Sequence, residues 1–265
     1  MTACHPIDNG PMVSTSSARK VVTRDPAKTR ARILKAAIAE FSAKGYSGTR
    51  TLQIALKAKT NIRMLYHYYG GKDALYIRVL EEVLSRLRMA ELQLDFGNAE
   101  PMDGIVQMFD FIDTHFGARP ELRRLLAFEN MNQARHLKRS AIIRETASPV
   151  LDLIDKLLRR GEDSGVFRAG IDAMHLYTAM VSLAYYSRAH GPTLSRIFDI
   201  DILGDEWQAD HRTQSHQMLM GFLAPPPPAA IQRAAAQSSK ATDASLSVMK
   251  SGRSRIGRPM ATRSA

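Results

Sequence analysis

From residue 26 onward, apolar side chains recur at three- and four-residue steps, and almost nowhere in strict alternation. That period is the signature of amphipathic helices, so the pattern predicts an all-α chain with no strand. Asp25-Pro26 marks the first start, an aspartate cap followed by proline at the first helical position. Ile33, Leu34, Ala37, Ile38 and Phe41 then form one stripe, with Arg30, Arg32, Lys35 and Glu40 off it. Lys44-Gly45 stops that helix, glycine serving as a left-handed cap. Thr49 reads as the cap of a short second helix carrying Leu52, Ile54, Ala55 and Leu56. Lys59-Thr60 would be a turn, Asn61 the cap of a third helix with Leu65 inward, and Gly70-Gly71 its end. Two short helices joined by a tight turn after a longer one predict a helix-turn-helix.

The pattern then lengthens. Leu75, Val79, Leu80, Val83, Leu84, Leu87 and Leu94 predict a helix from Lys72 that would span about 36 Å if it reached Asp95. Pro101 begins another helix, with Ile105, Met108, Phe109, Ile112 and Phe116 on one face. After a turn at Gly117 to Pro120, the stripe Leu122, Leu125, Leu126 and Phe128 runs on to Glu129, Asn132, Gln133 and His136. Either the helix leaves the core there, or these polar groups line a partly apolar cavity. Arg139 to Gly161 reads as one helix broken near Glu145 by Pro149. Met174, Tyr177, Met180, Val181, Ala184 and Tyr185 mark the next, ended by Gly191-Pro192. Glu206 to Leu223 is the last, with Trp207, Met218, Leu219 and Phe222, and Pro225 to Pro228 close the folded part.

Charge divides the 265 residues into three. Residues 1–75 hold 13 Lys/Arg against 4 Asp/Glu, residues 76–228 hold 17 against 21, and residues 229–265 hold 7 against 1. A basic front on an acidic middle points to a head that binds a polyanion and a body with another task. The two ends, 1–25 and 225–265, are Pro-, Ser-, Ala- and Arg/Lys-rich without periodicity, and are expected to be a disordered basic arm and tail. No apolar run reaches the length of a membrane span and the N-terminus has no secretory core segment. Cys4 is the single cysteine, which excludes a disulfide within the chain and fits a reducing cytoplasm.

Double-stranded DNA is the polyanion that a helix-turn-helix fits. The N-terminal half of the third helix, Asn61, Ile62, Arg63 and Met64, is placed for base edges in a major groove. Arg63 has the guanidinium fork that matches guanine O6 and N7, and either Ile62 or Met64 is long enough for a thymine methyl. Thr49, Arg50, Thr60 and Lys72 sit at helix starts, where amides and side chains together favour phosphate oxygens, and Tyr66 and His67 follow a turn later.

The segment ARILKAAIAEFSAKGYSGT, then IA, then LYHYYGGKDALY, is similar to the N-terminal domain of the TetR/AcrR family of bacterial transcriptional regulators. The resemblance runs from about Thr29 to Leu80 and rests on Phe41, Gly45-Tyr46, Thr49, Ile54-Ala55, Leu65-Tyr66, Tyr69, Lys72 and Ala74-Leu75. This chain departs at Lys59-Thr60-Asn61, where the family often has Gly-Val-Ser, and at Arg63 and Met64. The resemblance implies a helix-turn-helix DNA-binding domain over 26–71 and a larger helical ligand-binding and dimerisation domain over 72–224. It also implies a DNA-facing role for Tyr66. The last two long helices would pair with their mates in a homodimer, using Met180, Val181, Tyr185, Met218 and Phe222. Between them and the head, Phe109, Phe116, Phe128, Asn132, His136 and Tyr177 are candidates to surround a small organic effector. The function implied is a repressor released from a palindromic operator by its ligand, in the cytoplasm at the nucleoid, with no cofactor. A ligand-responsive activator of the same fold stays open, as does a nonspecific architectural DNA binder, which the basic ends also suit.

Nothing points to catalysis or a metal. His211 and His216 are five apart and so face differently on a helix, no HExxH occurs, Cys4 lies in an end segment, and there is no glycine-rich phosphate loop.

Overall fold

The computed structural model describes residues 25–227 apart from Asp95, Asn98, Thr146 and Ala147. The basic arm and nearly all of the tail expected from the sequence lie outside the described residues. Among the described residues ten α-helices follow one another: α1 (Pro26–Gly48), α2 (Thr51–Lys57), α3 (Ile62–Tyr69), α4 (Lys72–Glu91), α5 (Pro101–Ala118), α6 (Pro120–Met131), α7 (Ala141–Glu145), α8 (Ser148–Asp163), α9 (Ala173–Phe198) and α10 (Asp205–Leu223). A single 3-10 turn, Leu137–Arg139, precedes α7, and no strand occurs among the described residues. No described helix is long and apolar enough to cross a membrane.

The first three helices share one small core with the start of α4. Ile33, Ala37 and Phe41 of α1 meet Ile54 and Ala55 of α2, Leu65 of α3, and Leu75 and Tyr76 of α4, all buried. Asp25 caps α1, accepting from the Ala27 and Lys28 amides. Asn61 caps α3 by accepting from the Arg63 amide at 2.8 Å. Between α2 and α3 the turn takes Lys59 through φ 49°.

The rest packs around α5. Its buried face, Ile105, Met108, Phe109, Ile112 and Phe116, is enclosed by α4, α6, α8, α9 and α10. Gly104 lets α8 approach, since a Cβ there would meet Leu157 at 2.8 Å. Two ionic groups are sealed in this bundle. Asp113 is buried between Arg188 of α9, to which it is ion-paired, and Arg212 of α10 at 2.6 Å. Glu91 at the end of α4 receives Arg88 at 2.6 Å and the Tyr177 hydroxyl at 3.2 Å, fastening α4 to α9. Burial, with the Glu91 charge beside it, pushes the Tyr177 hydroxyl up to about 12.

Several boundaries differ from the pattern. α4 ends at Glu91, short of Asp95. Gly191-Pro192 does not end α9, which runs to Phe198 with Pro192 inside it. Gly191 is buried against Leu203, so packing holds the turn in spite of the missing donor. Glu129 neither leaves the core nor opens a cavity. The chain reverses through positive φ at Gln133 and Ala134, and the Glu129 carboxylate accepts from the His136 amide at 3.1 Å and the Leu137 amide at 3.2 Å. The His136 Nδ1 lies 2.9 Å from its other oxygen, and both side chains are buried.

Candidate nucleic-acid interface

The exposed face of α2 and α3 follows from what the other face must bury. α3 commits Leu65 to the core and packs Ile62, Tyr68 and Tyr69 at its edge, which leaves Asn61, Arg63, Tyr66 and His67 exposed. Nothing among the described residues pairs with the Arg63 guanidinium. α3 is aimed by its far end: the Tyr69 hydroxyl donates to the Arg30 carbonyl at 2.9 Å, and Arg30 lies over the Tyr69 ring. Tyr66 reaches α2, its hydroxyl 3.3 Å from that of Thr51.

The remaining expected contacts sort into three groups. Arg50 is exposed at the α2 cap and Thr60 is half-buried before α3. Lys72 is half-buried at the start of α4, its ammonium 4.5 Å over the Tyr46 ring. Thr49 is a correction: it is buried, and its hydroxyl lies 2.8 Å from the Gly45 carbonyl, so it neither caps α2 nor faces a phosphate. Arg50 takes the cap position instead. Of the two apolar candidates, Ile62 packs against the core, whereas Met64 borders a cleft of about 160 Å³.

That cleft adds cations that the motif reading passed over. Arg32 of α1 and Lys59 of the turn line it together with Thr60, Asn61 and Met64. Both are exposed and both lie off the apolar stripe, which was the available signal. Lys57, by contrast, is spent within the protein. It pairs, with Lys44, to the buried Glu40 and pins α2 to α1. Those two ammonium groups, Lys44 first, hold the Glu40 carboxyl below its usual range.

Behind the interface a polar latch joins α1 and α4 to the segment before α7. The Tyr46 hydroxyl donates to Asp73, and Arg139 meets the other carboxylate oxygen at 3.0 Å. The His136 ring packs on Tyr46 and Tyr76. The Tyr46 hydroxyl, then Arg139, hold the Asp73 carboxyl below its usual range. A depressed acid stabilises above its unfolded pKa, near 4, and loses that contribution as pH falls through the folded value. The stability gap between the native protein and Asp73→Asn is therefore expected to narrow on acidification below about pH 4. Thermal melts across that range test it, and a constant gap would show that the carboxylate is not engaged.

Residues 33–79 match the pattern described as bacterial regulatory proteins, tetR family, and residues 101–219 match tetracyclin repressor-like, C-terminal domain. The HTH-type transcriptional repressor NicS of Pseudomonas putida is 33% identical over 186 residues, covering 70% of this chain and 88% of that protein. The chain belongs to the TetR family. A second relative, the HTH-type transcriptional repressor SCO4008 of Streptomyces coelicolor, is 32% identical over 170 residues, 63% of this chain and 82% of that one. Among solved structures, the putative transcriptional regulator SCO4942 of Streptomyces coelicolor superposes with a TM-score of 0.57 at 26% identity, over 72% of this chain and 97% of that one. Membership makes this a DNA-binding transcriptional regulator, not an enzyme, built from a helix-turn-helix domain and a C-terminal helical domain.

For a TetR-family member, the expected effector set is scattered. Phe109 and Phe116 are fully buried in the α5 core, against His216 and Tyr185. Phe128 abuts Gly45, Asn132 is exposed at the α6 cap, His136 is bound to Glu129, and Tyr177 to Arg88 and Glu91. Helical spacing placed them on inward faces, but those faces look at different neighbours. The expected dimer face needs one correction. Met180 is fully buried within its own chain. Val181 and Tyr185 are half-buried, and Met218 and Phe222 stay exposed, at 58% and 42%.

Proposed function

We propose that this chain is a sequence-specific repressor that binds a palindromic operator as a homodimer and is released by a small organic ligand. It would act in the cytoplasm, at the nucleoid. The observation that carries the reading is the free Arg63 guanidinium on the exposed, capped N-terminal half of α3. The names of the two relatives, both transcriptional repressors, support the sign of the regulation.

In this reading residues 26–71 are the DNA-binding domain and 72–224 the ligand-binding and dimerisation domain. Arg63 reads guanine, with Asn61 and Met64 beside it, while Arg50, Thr60, Tyr66, His67 and Lys72 hold phosphates, joined by Arg32 and Lys59. Two copies of α3 at a fixed spacing supply the specificity that one helix lacks. Val181, Tyr185, Met218 and Phe222 contribute to the dimer face. A ligand acts by favouring a body conformation in which the two α3 helices no longer fit successive grooves.

Selection of bound sites from random DNA tests this reading. A palindrome with half-sites about one helical turn apart is expected. Enrichment of no sequence over bulk DNA would favour an architectural binder. Arg63→Ala is expected to relax preference at one base pair per half-site, costing about 1–3 kcal/mol in each. Equal weakening on every sequence would reduce Arg63 to a phosphate contact.

A further inference from the structure

A groove of about 700 Å³ runs between α1, α4 and α6, where the helix-turn-helix meets the body. Its size is that of a site for a small organic molecule. None of the six side chains expected to surround an effector lines it. The apolar lining comes mostly from α1, Ala31, Leu34, Ile38 and Ala39, with Pro120 of α6 at its edge. Leu34 and Ile38 are only half-buried, so the groove has apolar surface left to cover.

The charges at its rim are unequal in their freedom. Glu82 of α4 is paired with Arg86 at 2.8 Å and with Arg78 at 3.1 Å. Lys35 on α1 and Arg124 on α6 are exposed, and no described residue pairs with either. Arg124 also stands beside Arg123, whose guanidinium is pushed below its usual range by burial and then by Arg188 and Arg124. Added negative charge there relieves like-charge repulsion. Only one negative charge fits well, because the Glu121 carboxylate also lines the groove and would repel a second.

We infer that this groove is a binding site for an amphipathic organic monocarboxylate. Its apolar body would cover Leu34 and Ile38, and its carboxylate would lie between Lys35 and the Arg124 fork. Because Lys35 belongs to the DNA-binding part and Arg124 to the body, the occupant ties the two together. A ligand at this joint therefore acts on their relative orientation directly, without first reshaping the core around α5. The inference does not depend on which DNA sequence the protein reads.

The test is calorimetric titration of the full chain, without DNA, using octanoate and 4-phenylbutyrate, each against its matched alcohol. At least one acid is expected to bind, with its alcohol about tenfold or more weaker. The double variant Lys35→Ala with Arg124→Ala is expected to weaken the acid by about ten- to a hundredfold. Both residues are at the surface, so the variant retains its core. Leu34→Trp, which fills the groove, is expected to remove binding while leaving both cations. Three outcomes would overturn the proposal: no binding of either acid up to about 10 mM, equal binding of acid and alcohol, or binding unchanged in both variants. None of them bears on operator recognition, which the site selection tests separately.

Discussion

Asp113→Ala is expected to destabilise the fold by about 3–5 kcal/mol, measured by urea unfolding at a fixed chain concentration. The carboxylate is 2% exposed and holds two guanidinium groups, Arg188 from α9 and Arg212 from α10. Arg212 is partly exposed and can turn to water when its partner goes. Arg188, with its side chain 10% exposed, cannot. The cost is therefore mostly that of one stranded buried cation, not of a lost attraction. It follows that Asp113→Leu combined with Arg188→Met should recover most of the loss, since an apolar pair of similar volume carries no charge to strand. A single variant that loses less than about 1 kcal/mol would mean that the cluster is hydrated in solution.

The second large effect is expected at Gly45, and it has two separable causes. Its backbone, φ 67° and ψ 179°, lies in a region essentially restricted to glycine, worth about 1–3 kcal/mol against any other residue. A Cβ there would also stand 2.9 Å from the Phe128 ring of α6, and such overpacking costs about 1–3 kcal/mol. Gly45→Ala is thus expected to lose about 2–5 kcal/mol and to loosen α1 from α6. Adding Phe128→Ala distinguishes the causes. It removes the clash and leaves the backbone cost, so the two losses in denaturant melts should be less than additive. Full additivity would show that Phe128 moves aside freely. This pair also explains the shape at the joint, because the phenyl ring occupies the space that glycine leaves.

The sequence made the helix-turn-helix legible because its decisive features are local. An aspartate followed by proline, an asparagine cap and a glycine pair each act within a few residues, and Asp25, Asn61 and Gly70 stand at α1 and α3 boundaries. What was hidden depends on partners far along the chain. Periodicity assigns Met180 to an apolar face but cannot say whether that face meets its own α5 or another copy. Glu40 lies off the apolar stripe of α1, and its burial was not legible because one of its two cations, Lys57, is on another helix. Glu129 and His136, seven residues apart, looked like one continuing helical stripe, because the reversal between them uses left-handed Gln133 and Ala134, where no glycine announces it. The residues expected around an effector face different neighbours for the same reason. Inward-facing is a property of one helix, whereas a pocket belongs to several.

One consequence of α3 concerns its persistence in time. The helix has eight residues and commits one side chain, Leu65, fully to the core. A helix that short does not hold itself together in water, and it lends little burial to its neighbours. Its amides are therefore expected to exchange with solvent through brief local openings that leave the α5 bundle closed. In the proposed reading the segment that meets DNA is held by little burial of its own, so it gains order when a groove closes around it.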